Sequence, residues 1–185
     1  MHPMLKTERL LLLPAKEDLA PRLAEYYRRN RDFLRSFEPP REEDFFTAAR
    51  QRALLVQEAE AAEQNTSRRF YLQLPDQPDR IVGMVGLNNI VWGAFCSCFL
   101  GYKLDGELTG QGYMTEAVAA VTDFAFTRLR LHRIEANVMP RNRASLRVLE
   151  KNGYINEGLS RYYLNINGVW EDHVHMVRIN FALHN

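Results

Sequence analysis

Only two cysteines occur in 185 residues, Cys96 and Cys98, and they supply neither a disulfide framework nor a metal site. Two apart in a predicted strand, they point to one face, where a bridge would be strained and a zinc ion would lack two further ligands. They read as reduced thiols packed like small apolar groups, and no metal is expected. No apolar run approaches the ~18 residues of a membrane span, and Met1-His2-Pro3-Met4 shows no basic-then-apolar signal pattern. A cytoplasmic protein without membrane contact is therefore expected. The net charge of +1 gives no overall field for nucleic acid, so no direct nucleic-acid readout is expected. Repeats, low-complexity tracts and long linkers are missing too, and residues 1–185 read as one domain.

What is present is a regular alternation of strand and helix signals. Thr7 to Leu13 reads as a strand ended by Pro14. Leu19, Leu23, Tyr26, Tyr27 and Asn30 follow at helical spacing, and the segment Phe33 to Pro40 breaks that helix. A surface helix is predicted over roughly Asp44 to Glu63. Strands are predicted at Phe70–Leu74, Ile81–Val91 and Phe95–Leu104. A helix over 113–129 carries Met114, Val118, Val121 and Ala125 on one stripe. Arg133–Met139 reads as a strand and Asn142–Asn152 as a short helix capped by Gly153. Strands Tyr154–Leu164 and Val169–Arg178 are joined through Asn167-Gly168, a hairpin signal. The order implies a mixed α/β sheet with helices on both faces, in which 95–104, 113–129 and 133–139 form a right-handed parallel crossover.

Gly110-Gln111-Gly112 stands at the mouth of the 113–129 helix, several residues after a strand. A helix N-terminus has unpaired N–H groups and a partial positive charge, and glycines let backbone approach a ligand, so the position suits an anion such as a pyrophosphate. A Gly-Lys-Ser/Thr phosphate loop is excluded, because no such triplet follows. The dinucleotide fingerprint G-x-G-x-x-G, with Glu135 downstream, fails at Thr115 and in the distance from strand to glycines.

Glu107-Leu108-Thr109-Gly110-Gln111-Gly112 resembles the Q/R-x-x-G-x-G/A motif of the GNAT superfamily of N-acetyltransferases. Met114-Thr115-Glu116-Ala117, and Asn142-Arg143-Ala144-Ser145 leading to Glu150-Lys151-Asn152-Gly153-Tyr154, are similar to its ribosomal-protein branch. So are Thr7-Glu8-Arg9-Leu10, Phe33–Pro39, Leu100-Gly101-Tyr102 and the tail 167–174, closest to RimJ-type ribosomal-protein-alanine N-acetyltransferases. The resemblance implies a mostly antiparallel, twisted sheet splayed at a central parallel pair. It implies acetyl-CoA as cosubstrate, bound between strands 95–104 and 133–139. N–H groups of Gly110, Gln111, Gly112, Tyr113, Met114 and Thr115 would take the pyrophosphate, and backbone near Tyr102 and Leu104 would pair with the pantetheine arm. Glu107 departs from the motif's Gln or Arg, and is expected to contribute backbone only or to face solvent.

The remaining site residues carry two readings each. Asn142 is a helix N-cap or a hydrogen-bond partner of pantetheine. Ser145, one turn later, is a polar helix residue or the proton donor to the departing thiolate. Asp172 is the candidate base, ahead of Glu135, His173, Tyr162 and Tyr163, against a plain surface role for each. Alternating faces group Asp172 with Trp170, Val174 and Met176. Trp170 and Phe37 either line an acceptor groove or belong to the core. The arginines at 128, 130, 133, 141, 143 and 147 either reach the CoA 3′-phosphate or form a solvated face.

The resemblance implies direct attack of an amine on the thioester, with the N-terminus of a ribosomal protein as acceptor and a monomer or homodimer as the working unit. An α-amine with pKa near 7.7–8.0 is roughly a tenth or more neutral at pH 7, against under ~0.1% for lysine. An α-amine enzyme therefore needs little basic help. A small amine as acceptor, or a ribosome-assembly factor that binds CoA without catalysis, are the alternatives.

Overall fold

The computed structural model describes residues 4–183, so Met1-His2-Pro3, read above for a signal pattern, lies outside the described residues. One eight-stranded sheet runs through the molecule in the order β1-β2-β3-β4-β5-β6-β8-β7. Its strands are β1 (Leu5–Lys6), β2 (Leu11–Pro14), β3 (Arg68–Gln73), β4 (Ile81–Val91), β5 (Ser97–Leu104), β6 (Arg133–Val138), β7 (Ile155–Ile166) and β8 (Val169–Ile179). The helices are α1 (Ala20–Arg29), α2 (Arg31–Arg35), α3 (Ala48–Glu63), α4 (Tyr113–Thr127) and α5 (Arg143–Lys151). Every strand pair is antiparallel except β5–β6, the parallel pair joined by the α4 crossover.

Alternation along the strands feeds two cores. Phe70 and Leu72 pack with Met114, Val118 and Val121 of α4, while Tyr71 between them faces α1 and α3. The stripe expected on α4 is buried in full, with Ala117 and Phe124 added at helical spacing. Burying each large apolar side chain of such a stripe contributes about 1.5–3 kcal/mol.

Several expected boundaries move, each for a local reason. Of the strand expected at Thr7–Leu13 only Leu11–Leu13 is strand, because Thr7–Leu10 turns the chain from β1 into β2: the Thr7 N–H donates to Leu10 O (3.0 Å), and the Leu10 N–H donates to Thr7 Oγ1 (3.0 Å). The helix expected from Asp44 starts at Ala48, where the Thr47 hydroxyl caps the Arg50 N–H. Helix resumes over Arg31–Arg35, so the break is confined to the residues before Pro39-Pro40. Cys96 has φ +41° and precedes β5, so it does not share a strand face with Cys98. Both thiols are free, and burial pushes the Cys98 thiol up to about 12. The predicted hairpin stands, with Asn167 and Gly168 both at positive φ (52° and 82°), as a type I′ turn requires.

Candidate active site

β5 and β6 are paired only from Ser97↔Arg133 to Phe99↔Glu135. Beyond that point the strands part, and the outward backbone groups of β5 from Leu100 to Leu104 have no strand to bond. A cleft of about 460 Å³ opens there, walled by residues 100–104 on one side and 136–139 on the other. Thr109, Gly110 and Met114 close one end, while Asn142, Ser145 and Val148 of the α5 region line another part. The sequence-predicted Tyr102, Leu104, Gly110, Met114, Asn142 and Ser145 thus meet in one cavity.

Gly112 caps α4 in the left-handed region (φ 87°), which an L side chain rarely adopts. The first bond of the α4 ladder is from the Glu116 N–H to Gly112 O (3.1 Å), so the N–H groups of Tyr113, Met114 and Thr115 open from the helix end. Gly110 is also left-handed (φ 76°), and nothing lies within 4 Å of where its Cβ would stand. Glu107 turns its carboxylate away to Arg80 Nη2 (2.6 Å), as expected, and does not oppose an anion at the loop.

The loop is held from behind by Glu116. Its Oε1 accepts from the Thr7 hydroxyl and from the Arg9 N–H (2.8 Å), and its Oε2 accepts from Arg9 Nε (2.7 Å). Arg9 Nη1 donates to Gln111 O (3.0 Å), and the guanidinium lies over the Tyr113 ring. Burial would raise the Glu116 pKa, but the Thr7 and Arg9 donors hold it below the ordinary carboxylate range. The two motifs 7–10 and 114–117 are therefore one clamp. Glu116→Gln weakens that clamp, and the KM for acetyl-CoA is expected to rise about tenfold with kcat changed less than about twofold; steady-state kinetics at saturating acceptor check it.

At α5 both readings of Asn142 are compatible. Its Oδ1 caps the Ser145 N–H (3.1 Å), leaving the Nδ2 donors for whatever fills the cleft. The Ser145 hydroxyl is 2.7 Å from Tyr102 Oη, whose phenol also donates to Ser145 O (3.1 Å). Burial raises the Tyr102 pKa and the Ser145 bond only partly offsets it, so the phenol keeps its proton. Sequence placed only the Tyr102 backbone in the site; its side chain belongs there too.

Asp172 does not line the cleft. Its Oδ1 accepts the Tyr162 N–H (2.8 Å), supporting an irregular stretch of β7 in which Tyr162 sits at φ +48°. Trp170 is exposed and does not line the cleft, whereas Phe37 does. His173 lines the cleft and is buried. Glu135 is bound by His175 Nδ1 (2.7 Å) and Arg133 (3.0 Å), and Arg133 also meets Glu157. Arg141 and Arg147 pair with Glu171 and Glu150, so the arginines do not act as one patch.

Two features had no sequence signal. Asn137 lines the cleft with its Nδ2 on Tyr163 Oη (3.1 Å) and its Oδ1 buried without a partner. A buried orphan acceptor is costly unless a ligand donor meets it. Lys103 and Glu38 form an ion pair on the cleft wall, where burial lowers the lysine's pKa and Glu38 opposes the shift.

The acetyltransferase (GNAT) domain family matches residues 9–155. YjcK, a probable N-acetyltransferase of Bacillus subtilis (strain 168), is 45% identical over 151 residues, covering 82% of this chain and 83% of that protein. The crystal structure of a ribosomal-protein-S5-alanine acetyltransferase from Vibrio fischeri superposes with a TM-score of 0.92 at 35% identity, over 97% of each chain. RimJ from Mycobacterium smegmatis, solved in complex with CoA-disulfide, superposes with a TM-score of 0.87 at 28% identity, over 95% of this chain and 84% of that one.

Proposed function

Because the chain belongs to the acetyltransferase (GNAT) family, we propose that it moves the acetyl group of acetyl-CoA to the N-terminal α-amine of a ribosomal protein, an alanine of a small-subunit protein. Acetyl-CoA-dependent N-acetyl transfer follows from the family; the acceptor is the inference. The observation that carries it is the near end-to-end likeness to the ribosomal-protein-S5-alanine acetyltransferase.

The residues fit the cosubstrate. The glycine loop and the α4 N-terminus hold the pyrophosphate, and the unpaired edge of β5 takes the pantetheine arm beside Asn142. One of the β5 N–H groups polarises the thioester carbonyl. The acceptor amine enters from the side of Phe37 and Glu38, and one of its N–H bonds is accepted by Asn137 Oδ1. Attack forms the C–N bond and a tetrahedral oxyanion; its collapse restores the carbonyl and breaks the C–S bond, and Ser145, backed by Tyr102, protonates the departing thiolate and regains a proton from water, which balances the one the amine releases. Proton removal from the amine goes to water or to the neighbouring His173. Asp172, tied to the Tyr162 N–H, has no part in this scheme.

Incubation with acetyl-CoA and peptides copying ribosomal-protein N-termini tests the reading by mass spectrometry. One acetyl group on the α-amine of an Ala-starting peptide is expected. Turnover on amino sugars or polyamines with no acetylated peptide sinks it. Thiol release without any acetylated acceptor sinks it as well.

A further inference from the structure

The cleft opens to both faces of the sheet, and the acid of the reaction above occupies one of them. Tyr102 stands opposite Val85 and packs against the core under α4, and Ala136 and Val138 of β6 point the same way. Ser145 meets Tyr102 on that side. The alternate residues Lys103 and Asn137 face the other side, where Lys103 lies over the Tyr27 ring of α1. In the β6–β8 ladder Asn137 stands opposite His175, so His173, two residues along β8, shares the Asn137 face.

Four titratable side chains among the described residues line the cleft: Glu38, Tyr102, Lys103 and His173. Tyr102 lies on the acid's side. Glu38 is matched by Lys103 and is also 3.7 Å from Arg41. His173 is 3% exposed, and its Nδ1 is 3.0 Å from Glu171 O. A carbonyl oxygen only accepts, so Nδ1 carries the proton and the neutral ring presents a lone pair at Nε2. That nitrogen bonds no protein group among the described residues. His175, next on the same face, is committed at both nitrogens, to Glu135 and to Ser160 (2.7 Å each). The orienting residue is itself held: the Glu171 carboxylate pairs with Arg141 (2.9 Å), whose Nη2 also donates to Ser36 O (3.0 Å). The Tyr163 ring packs against His173, and its hydroxyl meets Asn137 Nδ2, which braces ring and amide together.

We propose that His173 is the catalytic base of the transfer, taking the acceptor's proton at Nε2 on the face of the sheet opposite to the acid. The inference rests on the reading that the acceptor amine enters from the side of Phe37 and Glu38. Asn137 Oδ1 accepts one N–H of the amine and turns its lone pair to the thioester. As the C–N bond forms the nitrogen becomes cationic, and a second N–H passes its proton to Nε2. The resulting imidazolium is stabilised by its Nδ1–H on the Glu171 carbonyl and gives the proton to water as product leaves. A base oriented by a third group in this way is the general pattern of activated nucleophiles.

His173→Asn keeps an amide N–H at the place of Nδ1, within reach of Glu171 O, and removes Nε2. With acetyl-CoA and an Ala-starting peptide its kcat is expected to fall about 30-fold, with both KM values within about threefold. The loss stays below the ~10²-fold usual for base catalysis because part of an α-amine is already neutral at pH 7 and water can take its proton. His173→Ala falls similarly, and added imidazole restores its kcat about fivefold, as a free base enters the space the ring leaves. A wild-type kcat in His173→Asn overturns the base and leaves His173 a structural donor. A His173→Ala protein that melts like the wild type and gains nothing from imidazole overturns it as well; if that variant does not fold, His173→Asn decides alone. A wild type that acetylates small amines and no peptide overturns the polypeptide acceptor only, and the same loss in His173→Asn on the small amine then supports the base.

Discussion

Ser145→Ala is expected to lower kcat about 100-fold while leaving the KM for acetyl-CoA within about threefold. General acid help of this kind contributes typically 10²–10⁴-fold, and the lower end applies because water can replace a hydroxyl at a cleft wall. Tyr102→Phe removes the phenol 2.7 Å from Ser145 Oγ and is expected to cost about tenfold. If the two act as one donor, the double variant falls no further than Ser145→Ala alone, as residues acting as a unit are not additive. Multiplying effects would show two independent roles. The pH profile adds a second check. Tyr102 is pushed above the ordinary phenol value by burial, so it stays protonated through pH ~10 and kcat shows no falling limb from it below that pH. A limb near pH 8 that disappears in Tyr102→Phe would show that the phenol titrates there and would overturn the burial argument.

How much of this was legible depends on sequence distance. The cap reading of Asn142 is legible because the bond it makes is three residues long, and Gly110 and Gly112 mark the helix mouth because left-handed backbone selects glycine locally. Glu116 was seen only as part of a motif; that it clamps Thr7 and Arg9 rests on a separation of 107 to 109 residues that no local pattern encodes. The Tyr102–Ser145 pair spans 43 residues and needs the parallel crossover in place before the two meet. Alternation along β8 gives the face of Asp172 but not its partner, because β7 shifts register twice, between Asn156 and Leu159 and between Ser160 and Leu164. Those shifts bring the Tyr162 N–H to the carboxylate and use it up. Glu38 and Lys103 carry no spacing signal at all, since one follows a short helix and the other sits in a strand among apolar neighbours. The parallel crossover is legible from the strand–helix–strand order, whereas the insertion of β8 between β6 and β7 carries no local signal.

The largest effect on stability is expected at a residue outside the cleft. Asp105 follows β5 and begins the turn into the glycine loop, and it is 1% exposed. Its Oδ2 accepts from Arg29 Nε (3.0 Å) and Nη2 (2.8 Å) and from Arg80 Nη2 (2.8 Å), while Oδ1 accepts the Glu107 N–H (3.2 Å). Its own N–H donates to Val82 O (2.7 Å). Asp105→Asn keeps the shape but leaves two guanidiniums facing each other across a neutral amide. Removing one partner of a buried pair costs about 3–5 kcal/mol; because both arginines keep some contact with water, about 2–4 kcal/mol is expected here. For a chain of this length that lowers Tm by about 4–16 °C. Burial would raise the Asp105 pKa, but Arg80 and Arg29 outweigh it and hold the folded value below the ordinary one. A depressed folded pKa gives stability that is present above the unfolded pKa of ~3.9 and is lost as pH falls through the folded value. The gap between wild type and Asp105→Asn is therefore full at pH 7 and narrows below about pH 4. Thermal melts of both proteins from pH 7 to pH 3 check this, and a gap independent of pH would show that packing rather than charge holds the turn. Acetyl-CoA affinity supplies the link to function: the turn sets the start of the glycine loop, so the variant's KM for acetyl-CoA rises even at temperatures where it remains folded.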